Sequence, residues 1–219
     1  MIKMRSYARA RWNNVALTTV VTCSVAGATA SVLAFTSPPA PPAAPQAPVL
    51  APFKAAGPDT FTGPAPIHNL PPNTLSVPGV DLKVGLVDQG RDGAGYLVVP
   101  DASNAARYRG SAAVCAEKGS ALLAGHVNFP DGSLAPMASL VRVTKGMPLY
   151  VSDNAGVTCR YKIIGLESLG KTSLPADIFA TEGPHLLRVV TCDFASPFVT
   201  IAGHAQFANN TVATAIPWP

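Results

Sequence analysis

Little in this chain points to metal or nucleic acid. Its four cysteines and four histidines include no Cys-x-x-Cys and no His-x-x-x-His spacing, so no structural zinc is expected. No dense acidic loop suggests calcium. No metal or other cofactor is expected. Basic surplus is missing from the body of the chain. Lys3, Arg5, Arg9 and Arg11 account for the whole net charge of +4, and the other twelve basic residues meet twelve acidic ones. Nucleic-acid binding needs a basic face rather than a basic tail, which argues against that class. Long stretches with helical periodicity and internal repeats are also absent, which leaves an all-β class.

Three zones are present. Residues 1–35 are a basic tail followed by an uncharged, apolar run from Val15 to Phe35. Twenty-one residues at helical rise span about 30 Å, the thickness of a hydrocarbon core. Basic residues precede the run, so the N-terminus is expected in the cytoplasm and the rest outside, as a single-pass membrane protein. A cleaved signal peptide is the rival reading, with Ala28-Thr29-Ala30 as the cleavage site. The anchor is preferred because the apolar run continues through Val32, Leu33 and Phe35. Cys23 lies within it and is read as a small apolar residue. Residues 36–72 hold twelve of the 22 prolines and are expected to be an extended linker of polyproline character.

Residues 73–219 are expected to form the folded domain. Short strand-like runs are predicted at Thr74–Val77, Leu82–Leu86, Tyr96–Val99, Ala121–His126, Pro148–Val151, Gly156–Gly165, Leu186–Thr191 and Thr211–Ile216. Turn signals such as Asp92-Gly93 and Asp131-Gly132 separate them. A short helical turn is predicted near Ala176–Ala180. A closed barrel fits best, because closure removes exposed strand edges. Cys115 and Cys159 are left over in the domain. The sequence leaves open whether they form a disulfide or remain two buried thiols. Arg107 and Arg109 are read as solvated loop residues, and His68 and His185 are given no role.

Two of the runs end in reactive side chains. Ala121-Leu122-Leu123-Ala124-Gly125 delivers His126, and Leu186-Leu187-Arg188-Val189-Val190-Thr191 delivers Cys192. A thiol nucleophile needs a base or a positive neighbour, because free cysteine is mostly protonated near neutral pH. Asn128 either orients this site or caps a turn.

Leu123-Ala124-Gly125-His126-Val127-Asn128 and Val189-Val190-Thr191-Cys192 resemble the two signature strands of sortases, the cysteine transpeptidases of Gram-positive cell surfaces. The resemblance is closest to the actinobacterial class F type. It extends through Leu75–Asp81, Asp88–Pro100, Leu140–Tyr150 and Asn209–Val212, roughly residues 74–216 in all. It implies an eight-stranded β-barrel. Cys192 would attack the Thr–Gly bond of a Leu-Pro-x-Thr-Gly-like sorting signal and form a thioester. An amine on cell-wall precursor or pilin would resolve it. His126 would protonate the leaving amine and deprotonate the incoming one.

The family places an arginine at the start of the last strand to meet the developing oxyanion. Here Phe207-Ala208-Asn209-Asn210 has Ala208 at that position, and no arginine follows Arg188. Loss of one oxyanion donor typically costs about 10²–10³ in rate. Gln206 and His204 are the candidate replacements. Arg188 shares the strand face of Cys192 but lies about 13 Å away along the strand, so it is read as structural. Asp193 and Phe194 replace the Gly-Gly of class F, and a carboxylate beside the nucleophile is expected to disfavour the thiolate. The loss of arginine motivates an alternative function, a catalytically impaired sortase-like domain that binds peptides. A peptidoglycan-stem cysteine transpeptidase is set aside, because its Gly-containing Cys motif is absent.

Overall fold

The computed structural model describes residues 69–201 and 204–218. The anchor over 15–35 and nearly all of the linker lie outside them. Among the described residues, no helix is long and apolar enough to cross a membrane.

Ten strands form. They are β1 (Thr74–Val77), β2 (Leu82–Gln89), β3 (Asn104–Tyr108), β4 (Ser120–Gly125), β5 (Pro148–Ser152), β6 (Thr158–Gly170), β7 (Leu186–Cys192), β8 (Phe198–Ile201), β9 (His204–Phe207) and β10 (Asn209–Pro217). Eight close into a barrel in the order β1-β2-β3-β4-β7-β10-β6-β5, and β8–β9 is a separate hairpin. The expected eight-stranded closed barrel with short helical turns is therefore present. The turns are 3-10 helices at Pro78–Val80, Pro136–Arg142 and Ala176–Phe179.

Strand alternation sorts the side chains onto two faces. On β4 and β7, Ala121, Leu123, Leu187 and Val189 enter the barrel core with Leu75, Leu149 and Tyr161. Leu122, Ala124 and Val190 point outward into a second cluster, closed over by Leu97, Tyr108 and Ile178. The β4–β7 pair is parallel and apolar on both faces, as parallel strands usually are.

Four strands depart from the sequence expectation, two of them β8 and β9, which form a hairpin where no strand is predicted between Cys192 and Asn209. Tyr96–Val99 makes a single bridge, Arg91 to Leu97, and no strand. β3 was not predicted, because Asn-Ala-Ala-Arg-Tyr has neither β-branched residues nor alternation. Its pairing with β2 and β4 imposes it. Arg107 is therefore not in a loop. It lies opposite Asp88 on β2 and bonds it at 2.6 Å, which holds that carboxyl below its usual pKa. The two remaining cysteines do pair: Cys115 and Cys159 form a disulfide. His185 is a buried structural residue. Its Nδ1 bonds the Gly119 carbonyl at 3.0 Å and its Nε2 meets the Tyr161 hydroxyl at 2.9 Å.

Candidate active site

The barrel's topology brings the two reactive runs together. In the parallel β4–β7 ladder Ser120 lies opposite Leu186 and Ala124 opposite Val190. The same 66-residue offset separates His126 from Cys192, and the Thr191 hydroxyl donates to the Gly125 carbonyl at 2.9 Å across that offset. Both residues continue the outward-facing set of their strands. The register therefore carries both residues to the same end of the β4–β7 pair. Gly125 has no room for a side chain: a Cβ there would stand 2.6 Å from Met137 Cγ. Its bareness lets the Pro136–Arg142 turn pack beneath the histidine.

Cys192 is partly buried and is the free cysteine of the described residues. Val127, Ala138, Phe194 and Phe207 pack around it as an apolar wall. Burial pushes its thiol up in pKa, and Lys171 opposes this. Burial pushes the His126 imidazole down, Asp101 partly restores it, and Lys171 lowers it further. At neutral pH the resting pair is thus predominantly thiol and neutral imidazole.

Lys171 was not foreseen from the sequence. It is 2% exposed, with Nζ 2.8 Å from Gln206 Oε1 and 3.6 Å from Cys192 Sγ. It follows β6 directly, in a stretch whose sequence is ambiguous between strand and turn. Nothing local marks it. Only the pairing of β6 with β10 carries it to the sulfur.

Gln206, a candidate oxyanion donor, is buried, and its side-chain oxygen accepts from Lys171. His204 opens β9, and its side chain lies outside the described residues. Arg188 is structural, bonded to Thr214 Oγ1 at 2.7 Å and to Asp177 at 2.9 Å. Asn128 donates to the Phe129 carbonyl at 3.0 Å, within a turn. Asp193 does raise the Cys192 pKa, as expected, but less than burial does and against the larger opposing effect of Lys171. Its carboxylate is engaged elsewhere, accepting from the Ser168 hydroxyl and the Ala195 amide.

Asn210 lies directly opposite Cys192 in the β7–β10 ladder, so both side chains leave the sheet on one face. It is 1% exposed, and neither its Nδ2 nor its Oδ1 has a partner among the described residues. A buried amide without partners costs about 1–3 kcal/mol. Asn210→Leu is therefore expected to raise the midpoint of chemical denaturation. An unchanged or lower midpoint would show that the amide is satisfied in solution.

Among the described residues, no group of three or more His, Cys, Asp or Glu could hold a metal ion. A thiol with a buried lysine ammonium 3.6 Å away suits covalent chemistry at sulfur.

A closed barrel in which a free cysteine ends a parallel strand pair is a fold of the sortase-like, cysteine-transpeptidase type. Residues 75–215 match the sortase domain family, and the chain belongs to it. Among solved structures, it is similar to sortase C1 of Streptococcus suis, with 14% identity, TM-score 0.51 and coverage of 67% of this chain and 72% of that one. A lid mutant of Streptococcus agalactiae sortase C1 gives 15%, 0.50, 67% and 68%. Listeria monocytogenes sortase A gives 20%, 0.48, 67% and 86%. At these identities the likeness to the two sortase C1 structures shows the fold. These are A and C types, so the narrower likeness to class F rests on the residue runs alone. No curated protein matches the chain.

Proposed function

We propose that this chain is an exported, membrane-anchored cysteine transpeptidase. It cleaves a Leu-Pro-x-Thr-Gly-like sorting signal and transfers the acyl part to an amine on cell-wall precursor or pilin. The observation that carries this reading is the parallel β4–β7 register, whose 66-residue offset is also the separation of His126 and Cys192. The apolar wall of Val127, Ala138, Phe194 and Phe207 beside the sulfur suits the leucine and proline of such a signal.

The Cys192 thiol passes its proton to the His126 imidazole, the resulting thiolate adds to the scissile carbonyl carbon, and the π pair moves to oxygen. Collapse breaks the C–N bond, and His126 gives its proton to the departing amine. A thioester remains, and the released segment diffuses away. The incoming amine then attacks the thioester, His126 takes its proton, and sulfur leaves as thiolate. Water is excluded as acceptor only so far as the apolar wall keeps it out.

The basic tail ahead of the apolar run over 15–35 supports anchoring with the N-terminus inside and the domain outside. The Cys115–Cys159 disulfide is consistent with an oxidising compartment.

Intact-mass spectrometry of the full-length chain tests the reading. It is mixed with a library of Leu-Pro-x-Thr-Gly peptides, with and without an amine acceptor. The expected result is an acyl adduct on Cys192 that the amine discharges. Peptide binding without any adduct would favour the impaired, binding-only alternative that Ala208 suggests.

A further inference from the structure

The site lacks the arginine expected at position 208, yet a cation is in place. β6 and β10 pair antiparallel with Gly170 opposite Asn209, and the Lys171 amide donates to the Ala208 carbonyl at 3.2 Å. Lys171 is thus the cross-strand neighbour of Ala208, and their side chains share a face. The positive charge stands one strand over from the expected position, on a longer side chain than Ala208 could offer. Burying an ammonium is costly unless it is paired. Here its described partners are the Gln206 oxygen and the reactive sulfur, with no carboxylate within ion-pair distance among the described residues. A lysine carries three N–H donors, and these contacts use two.

We propose that Lys171 is a catalytic cation of this site, taking the place of the missing arginine: it holds the Cys192 thiolate and then the oxyanion of the acyl-transfer intermediate. The inference rests on the acyl-transfer reading for its second half only. In the resting chain one N–H points to Sγ. When sulfur bonds to the carbonyl carbon, the negative charge moves from sulfur to the carbonyl oxygen, and the ammonium follows it with its third N–H. Lys171 keeps its three protons throughout, and the proton that reaches the leaving amine comes from His126. Asn210, unpartnered and opposite Cys192, is the neutral donor available to the same oxygen. Gln206 is accordingly a positioning residue. It fixes Nζ over the sulfur and donates nothing to the substrate through the oxygen it has committed.

The groups whose charges act on Cys192 are Lys171 on the β6 end and Asp193 following β7. Those acting on His126 are Asp101 and Lys171. Removing Lys171 should therefore raise the pH midpoints of both the thiol and the imidazole, with the larger change at sulfur.

The test needs no substrate. The full-length chain is alkylated with iodoacetamide across a pH series, and modification is read on the Cys192 peptide by mass, since Cys23 also carries a thiol. Lys171→Met and Lys171→Gln are each expected to slow alkylation at pH 7 about 10-fold or more, because a cation this close typically moves a thiol midpoint by one unit or more. Lys171→Arg is expected to restore the wild-type profile. Lys171→Gln keeps a partner for Gln206, so agreement between the two neutral variants separates charge from packing. If both neutral variants are folded and alkylate like wild type, the proposal is wrong. Should they unfold, Gln206→Leu provides the second measurement. It leaves the lysine but frees it from its anchor, and an unchanged alkylation profile there counts against the proposal.

Acylation by the sorting peptide gives the second readout. Ala208→Arg in the Lys171→Met background is expected to recover acylation, whereas Ala208→Arg alone is expected to give no gain. A gain from Ala208→Arg alone, with Lys171→Met harmless, would make Lys171 a bystander. If alkylation shifts as expected but no peptide acylates any variant, the thiolate role stands and the peptide reading fails.

Discussion

Alanine at Cys192 is expected to abolish the acyl adduct, and alanine at His126 to slow its formation by about 10²–10⁴. The two losses differ in kind. Without sulfur there is no atom to carry the acyl group. Without imidazole the thiolate still forms, helped by Lys171, but the amine must leave unprotonated. The pH dependence separates them further. The working pair is thiolate with imidazolium, while burial raises the thiol midpoint and lowers that of the imidazole. The rate should therefore climb through the lowered His126 midpoint, run flat through neutrality and fall above the raised Cys192 midpoint. Only a small fraction of the chain holds the working pair on that plateau. His126→Ala should replace the plateau and the upper fall by a single rise that levels off above the Cys192 midpoint. The measurement is single-turnover adduct formation by rapid quench and mass across pH. A His126→Ala variant that acylates at the wild-type rate would mean that the register brings the two residues together for packing alone.

Loss of the Cys115–Cys159 disulfide is expected to cost about 4 kcal/mol. The bond joins positions separated by 44 residues, and a closed loop of this length removes that much chain entropy from the unfolded state in the chain-entropy account. It ties the segment between β3 and β4 to the start of β6. Beside it, the Cys115 amide donates to the Tyr161 hydroxyl at 3.0 Å, and that hydroxyl meets His185. Cutting the bond therefore frees a segment that a buried hydrogen-bond network also uses. A fall on the order of 10 °C in melting temperature is expected for Cys115→Ala/Cys159→Ala. Dithiothreitol should lower the wild type similarly and leave the double variant unmoved. Equal melting of wild type and double variant would remove the disulfide from the stability of the domain. The bond lies toward the other end of β6 from Lys171, so residual folded protein should keep its Cys192 alkylation profile.

Much of the site was legible because the signals were local. A strand that ends in histidine and another that ends in cysteine are visible as runs of residues. Alternation along each run already assigns His126 and Cys192 to the outward face, since Leu122, Ala124, Arg188 and Val190 share it. The barrel class followed from short runs between turn signals. Strand length alone separates Arg188 from Cys192, and its side chain bridges Thr214 and Asp177. β3 was invisible for the opposite reason. Four of its five residues have little strand propensity, and neighbours on both sides recruit them.

The residues themselves determined the class of fold and marked Cys192, His126 and Ala208 as the positions to test. Tertiary structure decided that a buried lysine stands next to Ala208. Lys171 and Ala208 are 37 positions apart, and no pattern within either segment refers to the other. Only the β6–β10 register makes them neighbours, and only the resulting burial turns an ordinary lysine into a charge held against sulfur. The pairing of Cys115 with Cys159 and the unpartnered amide of Asn210 were decided in the same way. Each depends on a distance between strands, which a sequence does not contain.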